Sequence, residues 1–268
     1  MKSRNIAERV KSELHAHAED DVLAESYRLK NRFSHIWTYP SKIQYDQKFR
    51  DYLSDIKGKR ILDYGCGRGQ ASLEYLKQGA HVYGIDISPP YIEECKNLAQ
   101  SFVSDGGAFD FRVMDAHNLE FADDMFDIVA GNGILHHLDA QIALSEIHRV
   151  LKPGGRVILQ EPLADNPLLK FFRFLTPKAR TPDEMPFSQS DLDLLIDDVR
   201  WESESHFCGI LEAPVAMFTS IIMPKSPQNV LLRVAHKLEK RLNEKGYCKA
   251  WNQYILFSLI KRNKHSAN

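Results

Sequence analysis

An apolar run, Ile61-Leu62-Asp63-Tyr64, breaks into three glycines at alternate positions, Gly65, Gly67 and Gly69, and Asp86 follows 21 residues after the first of them. Such a run ending in glycine reads as a buried strand that enters a tight loop, with a helix starting at once. Backbone without Cβ lets a ligand come close to the main chain. Asp86 closes a second strand, His81 to Asp86, and so sets a carboxylate where it can accept hydrogen bonds from ribose hydroxyls. These residue types at this spacing suit the holding of a nucleoside.

The glycine spacing narrows the choice. A dinucleotide fold places its third glycine three residues after the second, so that the next helix faces a pyrophosphate. Here the third comes two after the second, which speaks against a nicotinamide oxidoreductase. Gly65-Cys66-Gly67-Arg68-Gly69 instead resembles the loop of the class I S-adenosylmethionine-dependent methyltransferases of the small-molecule type. The resemblance continues in the family's order through Val113-Met114-Asp115-Ala116, Phe126-Asp127-Ile128-Val129-Ala130-Gly131-Asn132 and Leu151-Lys152-Pro153-Gly154-Gly155-Arg156, and covers roughly residues 59 to 161.

That resemblance implies S-adenosyl-L-methionine as cofactor and assigns contacts to it. Asp86 takes the ribose hydroxyls; Gly65, Cys66 and Gly67 bring backbone to the methionine moiety; Asp63 orients that loop or reaches the ammonium group through water. Ile87 and Met114 resemble apolar plates around adenine, with Asp115, followed by Ala116, accepting from its exocyclic amine. Gly131, followed by Asn132, offers a carbonyl to the ammonium group. A sulfonium methyl donor is already electrophilic, so alignment of the acceptor supplies most of the catalysis. A hydroxyl acceptor must also lose a proton, and histidine is the natural base. His136 and His137 follow the fourth strand, and His206 falls in a late strand of the kind that borders acceptor pockets in the family; these three are the candidate bases. Phe171, Phe172 and Met217 suggest an apolar acceptor pocket, along with Phe174, Met185, Phe187 and Phe218, while Arg173 and Arg180 suit an acidic group. No metal site is expected.

Strands and helices alternate from Lys59 to Glu161, which means an α/β fold with a parallel sheet and crossover helices. The strands are expected at Arg60 to Tyr64, His81 to Asp86, Phe109 to Met114, Phe126 to Gly131 and Arg156 to Glu161. Between them come helices from about Gln70, at Pro89 to Ser101 capped by Ser88, and at Asp139 to Leu151 capped by Asp139. The family implies a Rossmann-like, mostly parallel seven-stranded sheet with helices on both faces and the last strand antiparallel. The single domain then divides into an N-terminal helical extension (1–53), a cofactor-binding core (54–161), a lid-like, proline-spaced insertion (162–224) and a C-terminal helix and strand (225–268). By analogy with the family, aromatics near Tyr39-Pro40 could cover the cofactor; core packing is the competing reading.

Composition narrows the partners. The chain has 268 residues, a net charge of −1 and 43% hydrophobic residues, which suits a small-molecule acceptor, and no basic tract promises nucleic acid. No signal-peptide core or membrane span is legible, so a cytoplasmic protein without stable membrane insertion is expected, a homodimer being one possible state. The four cysteines, spaced without a C-x-x-C pair, read as reduced thiols. The last 44 residues nevertheless carry ten Lys and Arg against two Glu, an excess of +8 against −9 for the remainder. Leu231, Val234, Leu238 and Leu242 form a stripe there with basic neighbours, a pattern compatible with interfacial binding but more often that of a helix docked on its own domain. An Asn-Pro-Pro-Tyr type signature is missing after the fourth strand, which argues against amino methylation of flat bases. Methylation of RNA or protein, or a silent binding module on the same fold, are the alternatives.

Overall fold

The computed structural model describes residues 28–29, 31–102, 108–175, 185–196 and 198–262. Seven strands form one sheet: β1 (Arg60–Tyr64), β2 (His81–Asp86), β3 (Phe109–Val113), β4 (Phe126–Asn132), β5 (Leu151–Pro162), β6 (Trp201–Cys208) and β7 (Tyr254–Lys261). Their spatial order is β3-β2-β1-β4-β5-β7-β6, with β7 antiparallel to both neighbours and every other pairing parallel. The central parallel strands are mostly apolar because both faces are covered, with Ile61, Leu62, Val82, Val129, Val157 and Ile158 all fully buried, whereas the edge strand β3 carries Asp110 and exposed Arg112 and Val113. Strand order reverses between β1 and β4, and an open parallel sheet leaves a crevice beyond the strand ends at that point.

Helices α1 (Pro40–Tyr52), α2 (Gln70–Lys77), α3 (Pro89–Gln100), α4 (Ala140–Val150), α5 (Pro167–Leu175), α6 (Gln189–Ile196), α7 (Glu212–Ile222) and α8 (Val230–Glu244) flank the sheet. They divide between the faces. One core cluster joins Leu62, Tyr64 and Leu159 to Leu144 and Ile147 of α4; the other joins Ile61, Ile128 and Ile158 to Tyr45 of α1, Leu76 of α2, Ile92 of α3 and Leu232 of α8. No helix among the described residues is long and apolar enough to cross a membrane.

Local signals account for most boundaries. Asp139 caps α4 by accepting from the amides of Gln141 and Ile142, as its position before an apolar period requires. Ser88 stands at the N-cap of α3 without a capping side-chain bond; its amide instead donates to Asp86 Oδ1 at 2.9 Å. The fifth strand departs from expectation: ladder pairing starts at Leu151, opposite Phe126, then resumes at Arg156 opposite Ile128. Pro153 cannot donate to a ladder and Gly154 takes φ +77°, so the chain detours while the buried Leu151 keeps its place.

Of the N-terminal aromatics, Phe33, Tyr39 and Tyr45 pack in the core rather than over the cleft, while Trp37 is exposed. Tyr39 is fully buried and donates to Gln253 Oε1 at 2.9 Å, and Tyr45 donates to the Ile255 carbonyl at 2.7 Å, both at the β7 end of the sheet. The expected helix before residue 28 lies outside the described residues.

Candidate functional site

The glycine loop turns back on itself through left-handed backbone. Gly65 has φ +75° and Gly67 φ +52°, a region in which a Cβ is strained. A Cβ at Gly65 would also stand 2.7 Å from Ile134, so the loop and the segment after β4 touch only because that atom is missing. Gly65→Ala is expected to lower folding stability by about 1–3 kcal/mol in urea denaturation. Unchanged stability would show that the loop relaxes freely.

Beyond this loop, at the carboxyl ends of the strands, lies a cleft of about 170 Å³. Gly65 and Gly67 from the loop, Asp86 and Ile87 after β2, Met114, Asp115 and Ala116 after β3, and His137 after β4 all line it. So do Tyr91, His117, Ile134 and Leu138. Asp86 is braced on both oxygens: Oδ2 accepts from the Gly67 amide and Oδ1 from the Ser88 amide, each at 2.9 Å. A carboxylate offers about four acceptor positions, so each oxygen keeps capacity for a ligand hydroxyl.

Asp115 is held just as firmly. Its Oδ1 accepts from the His117 amide at 2.9 Å and faces His117 Nδ1 at 2.8 Å, while the Asp139 amide donates to His117 Nε2 at 2.9 Å. Because Nε2 accepts, the ring proton lies on Nδ1 and points at Asp115. That leaves Oδ2 as the open acceptor. The only sequence sign of this brace was an imidazole two residues beyond the aspartate.

Several expected contact residues do not line the cleft. Cys66 is buried with its sulfur 3.8 Å from Cys95 Sγ, between the loop and α3. Gly131 packs where a Cβ would meet Ile134 and Leu159 at 2.9 Å, and Asn132 is exposed at the end of β4. Asp63 is buried and accepts from Ser72 Oγ of α2, so it fastens the loop's strand to the following helix.

Burial raises the Asp63 carboxyl from an ordinary 3.8 to about 6, against the lowering effect of Ser72. The folded state therefore holds this proton more tightly than the unfolded chain does. The linked stability is present below pH 3.8 and disappears as pH rises through about 6, a loss of about 3 kcal/mol from this group. Asp63→Asn is expected to flatten that part of the stability curve; an unaltered slope in pH-dependent urea titrations would contradict the assignment.

After β4 the chain makes a 3-10 turn, Leu135–His137, whose start is capped by a carboxylate from the next strand. Glu161, fully buried at the end of β5, accepts through Oε1 from the amides of Ile134 (3.2 Å) and Leu135 (2.8 Å), and through Oε2 from the His136 amide (3.3 Å). The same Oε2 stands 2.7 Å from His136 Nδ1. Backbone N–H groups already point at both oxygens of this carboxylate, so it accepts from Nδ1 and leaves the lone pair on Nε2; His136 itself is buried, and of the two histidines His137 is the one that lines the cleft. His137 stacks on His136 with ring centroids 4.0 Å apart and reaches the cleft. The Met185 amide donates to the His136 carbonyl at 3.1 Å, bringing the chain before α6 to this turn. Glu161 carried no sequence motif; only its place at a strand end marked it.

His206 is removed from this constellation. It sits on β6, separated from β4 by β5 and β7, and meets Tyr52 Oη of α1 at 2.9 Å and Glu204 at 3.0 Å. Burial lowers its imidazole, opposed by Glu204. The strand pattern located it correctly along β6, but the crossing of β7 between β5 and β6 puts three strand spacings in the way. The expected acceptor residues are also dispersed. Phe171 is exposed, Phe172 packs edge-on against Phe33 at 5.0 Å, Arg173 is half-buried on α5, and Met217 packs half-buried from α7 against the second core cluster. None lines the cleft, and Arg180 lies outside the described residues.

Comparison with known proteins gives this geometry a context. A family profile described as "Methyltransferase domain" matches residues 62–159. The O-methyltransferase cnsE of Penicillium expansum is 29% identical over 206 residues, 73% of this chain and 72% of that protein. A demethylmenaquinone methyltransferase of Thermotoga maritima is 30% identical over 159 residues, 58% of this chain and 65% of its own length. Three further relatives are spanned over only 43–51% of their length. Among solved structures, geranyl diphosphate C-methyltransferase from Streptomyces coelicolor A3(2) aligns with TM-score 0.57 at 16% identity, covering 80% of this chain and 77% of that one, a likeness of fold.

Proposed function

We infer that this chain, which is a class I S-adenosylmethionine-dependent methyltransferase, methylates the hydroxyl oxygen of a small, partly apolar acceptor. The cleft fits the cofactor on its own terms. Asp86 has acceptor capacity for two ribose hydroxyls, Asp115 Oδ2 suits the adenine amine, and Ile87, Met114 and Leu138 supply apolar surface for a flat base. The left-handed glycine loop would bring main chain to the amino acid tail. When bound, S-adenosylmethionine supplies an electrophilic methyl group on a positively charged sulfur that departs as a neutral thioether.

The observation that carries the choice of oxygen is the buried Glu161–His136 pair. A neutral amine brings its own lone pair, whereas a hydroxyl becomes a strong nucleophile only as its proton leaves. His136 Nε2 takes that proton, and Glu161 stabilises the resulting imidazolium across the 2.7 Å contact. The acceptor oxygen then forms the new bond to the methyl carbon as the carbon–sulfur bond breaks.

A second reading has specific support. The Thermotoga relative is named for a quinone substrate, and the solved neighbour and other quinone-biosynthesis relatives are named C-methyltransferases, so restriction to oxygen or nitrogen is too narrow. A phenolate made by the same base also has a nucleophilic ring carbon beside its oxygen. The test is turnover with methyl-labelled donor over hydroxylated aromatic and isoprenoid-bearing acceptors, followed by product NMR. An O-methyl signal is expected; a ring-methyl signal would favour carbon, and exclusive turnover of amines would overturn the assignment.

A further inference from the structure

We propose that the outer face of α7 and α8 docks on the surface of an anionic lipid bilayer. Of the stripe Leu231, Val234, Leu238 and Leu242, the first three stand exposed and do not hold α8 to its own domain, while Leu242 is half-buried. That task falls to Leu232, Ala235 and Glu239, all buried; Glu239 accepts from Ser41 Oγ and the Gly209 amide at 2.7 Å, and from the amides of Leu211 and Glu212 at 2.9 Å. Val230, Leu231, Val234 and Leu238 are left 42–56% exposed.

Advancing about 100° per residue, the exposed stripe lies beside the buried arc, Arg233, Lys237 and Arg241 fall roughly opposite that arc, and Lys240 lies on its other flank, all exposed. The one exposed acid on α8, Glu244, stands 3.9 Å from Lys240. On α7, which packs against α8, Phe218, Ile221 and Ile222 are 51–57% exposed. Exposed apolar side chains also stand on α5, which is tied to α7 through buried residues. α7 holds the 3-10 turn Ser34–Trp37 through His35, whose Nδ1 lies 2.9 Å from Thr219 Oγ1, and the adjacent Phe33 carries α5, where Leu168, Phe171 and Phe174 are exposed.

Apolar side chains interleaved with a basic arc, on helices too short and polar to cross a membrane, are the pattern of an interfacial helix pair. The basic residues match the negative surface potential of anionic lipid. A two-fold dimer whose axis crosses α8 in the plane of this face would set this arc against its own copy, like charge on like. A bilayer takes up both features at once.

The test is sedimentation of the full chain with vesicles of phosphatidylcholine containing about one-third phosphatidylserine, beside pure phosphatidylcholine vesicles. Retention is expected on the anionic vesicles and is expected to fall as salt is raised from ~0.1 M to ~0.5 M. Leu231→Gln/Val234→Gln/Leu238→Gln and Lys237→Glu/Arg241→Glu should each lower retention by about tenfold, with S-adenosylhomocysteine affinity unchanged as the control for folding. No retention on anionic vesicles, or retention equal in wild type and both variants, would overturn the proposal. So would a dimer abolished by the apolar triple substitution in a chain that ignores vesicles, or binding to RNA without binding to lipid. Because the readout is partition and not turnover, its failure leaves the methyl-transfer assignment standing.

Discussion

Asp86→Ala is expected to weaken binding of S-adenosylhomocysteine by about 10²–10⁴-fold, measured by calorimetry. The size follows from what the carboxylate does. Two hydroxyl hydrogen bonds to a charged acceptor contribute about 1.5–3 kcal/mol each when both partners would otherwise be left unpaired. The same substitution strips the Gly67 and Ser88 amides of their acceptor, so the loop that receives the ligand loses its brace as well. Asp86→Asn separates the two effects, since one amide oxygen preserves half of the bracing and carries no charge. An intermediate loss is expected. If Asp86→Ala binds the product as wild type does while remaining folded, the ribose contact is wrong and the cleft serves another ligand.

His136→Ala is expected to lower kcat by about 10²–10⁴-fold, with little change in cofactor affinity, because a general base acts on the reacting proton and not on the donor. Glu161→Gln is the sharper experiment. The glutamine oxygen satisfies the Ile134 and Leu135 amides, which turns its NH₂ toward His136 Nδ1, where a carboxylate oxygen stood 2.7 Å away. Nδ1 must then accept, the ring proton moves to Nε2, and the base is lost with the imidazole still present. Nitrogen-15 NMR of the ring should report the exchanged tautomer, and kcat should approach that of His136→Ala. A Glu161→Gln enzyme with wild-type kcat and the altered tautomer would exclude His136 as the base. Carbon methylation of a phenol would respond in the same way, so the NMR position of the new methyl group remains the discriminating measurement between those two products.

Between residues 59 and 161 the chain order of strands and helices and the place of the tight glycine turn were legible in the sequence, because both are local properties. Alternation of apolar runs with helical periods dictates a parallel sheet; glycines at 65 and 67 are needed wherever backbone turns left-handed; and an acid closing β2 stands at a fixed distance from that turn whatever else the chain does. Periodicity tells which side chains share a face. It does not tell which face meets the core.

For α8 that ambiguity was decisive. Two adjacent arcs carry apolar residues, and only the position of Ser41, Gly209 and Leu211, distant in sequence, selected Leu232, Ala235 and Glu239 for burial and left Leu231, Val234 and Leu238 outside. The candidate base shows the same division. Two histidines after β4 were visible at once, but the choice between them and His206 rests on Glu161 reaching across 25 residues to His136, and on β7 intervening between β5 and β6. A hydrogen bond between strand ends is a property of strand order, and strand order is set by how the whole sheet buries its two faces.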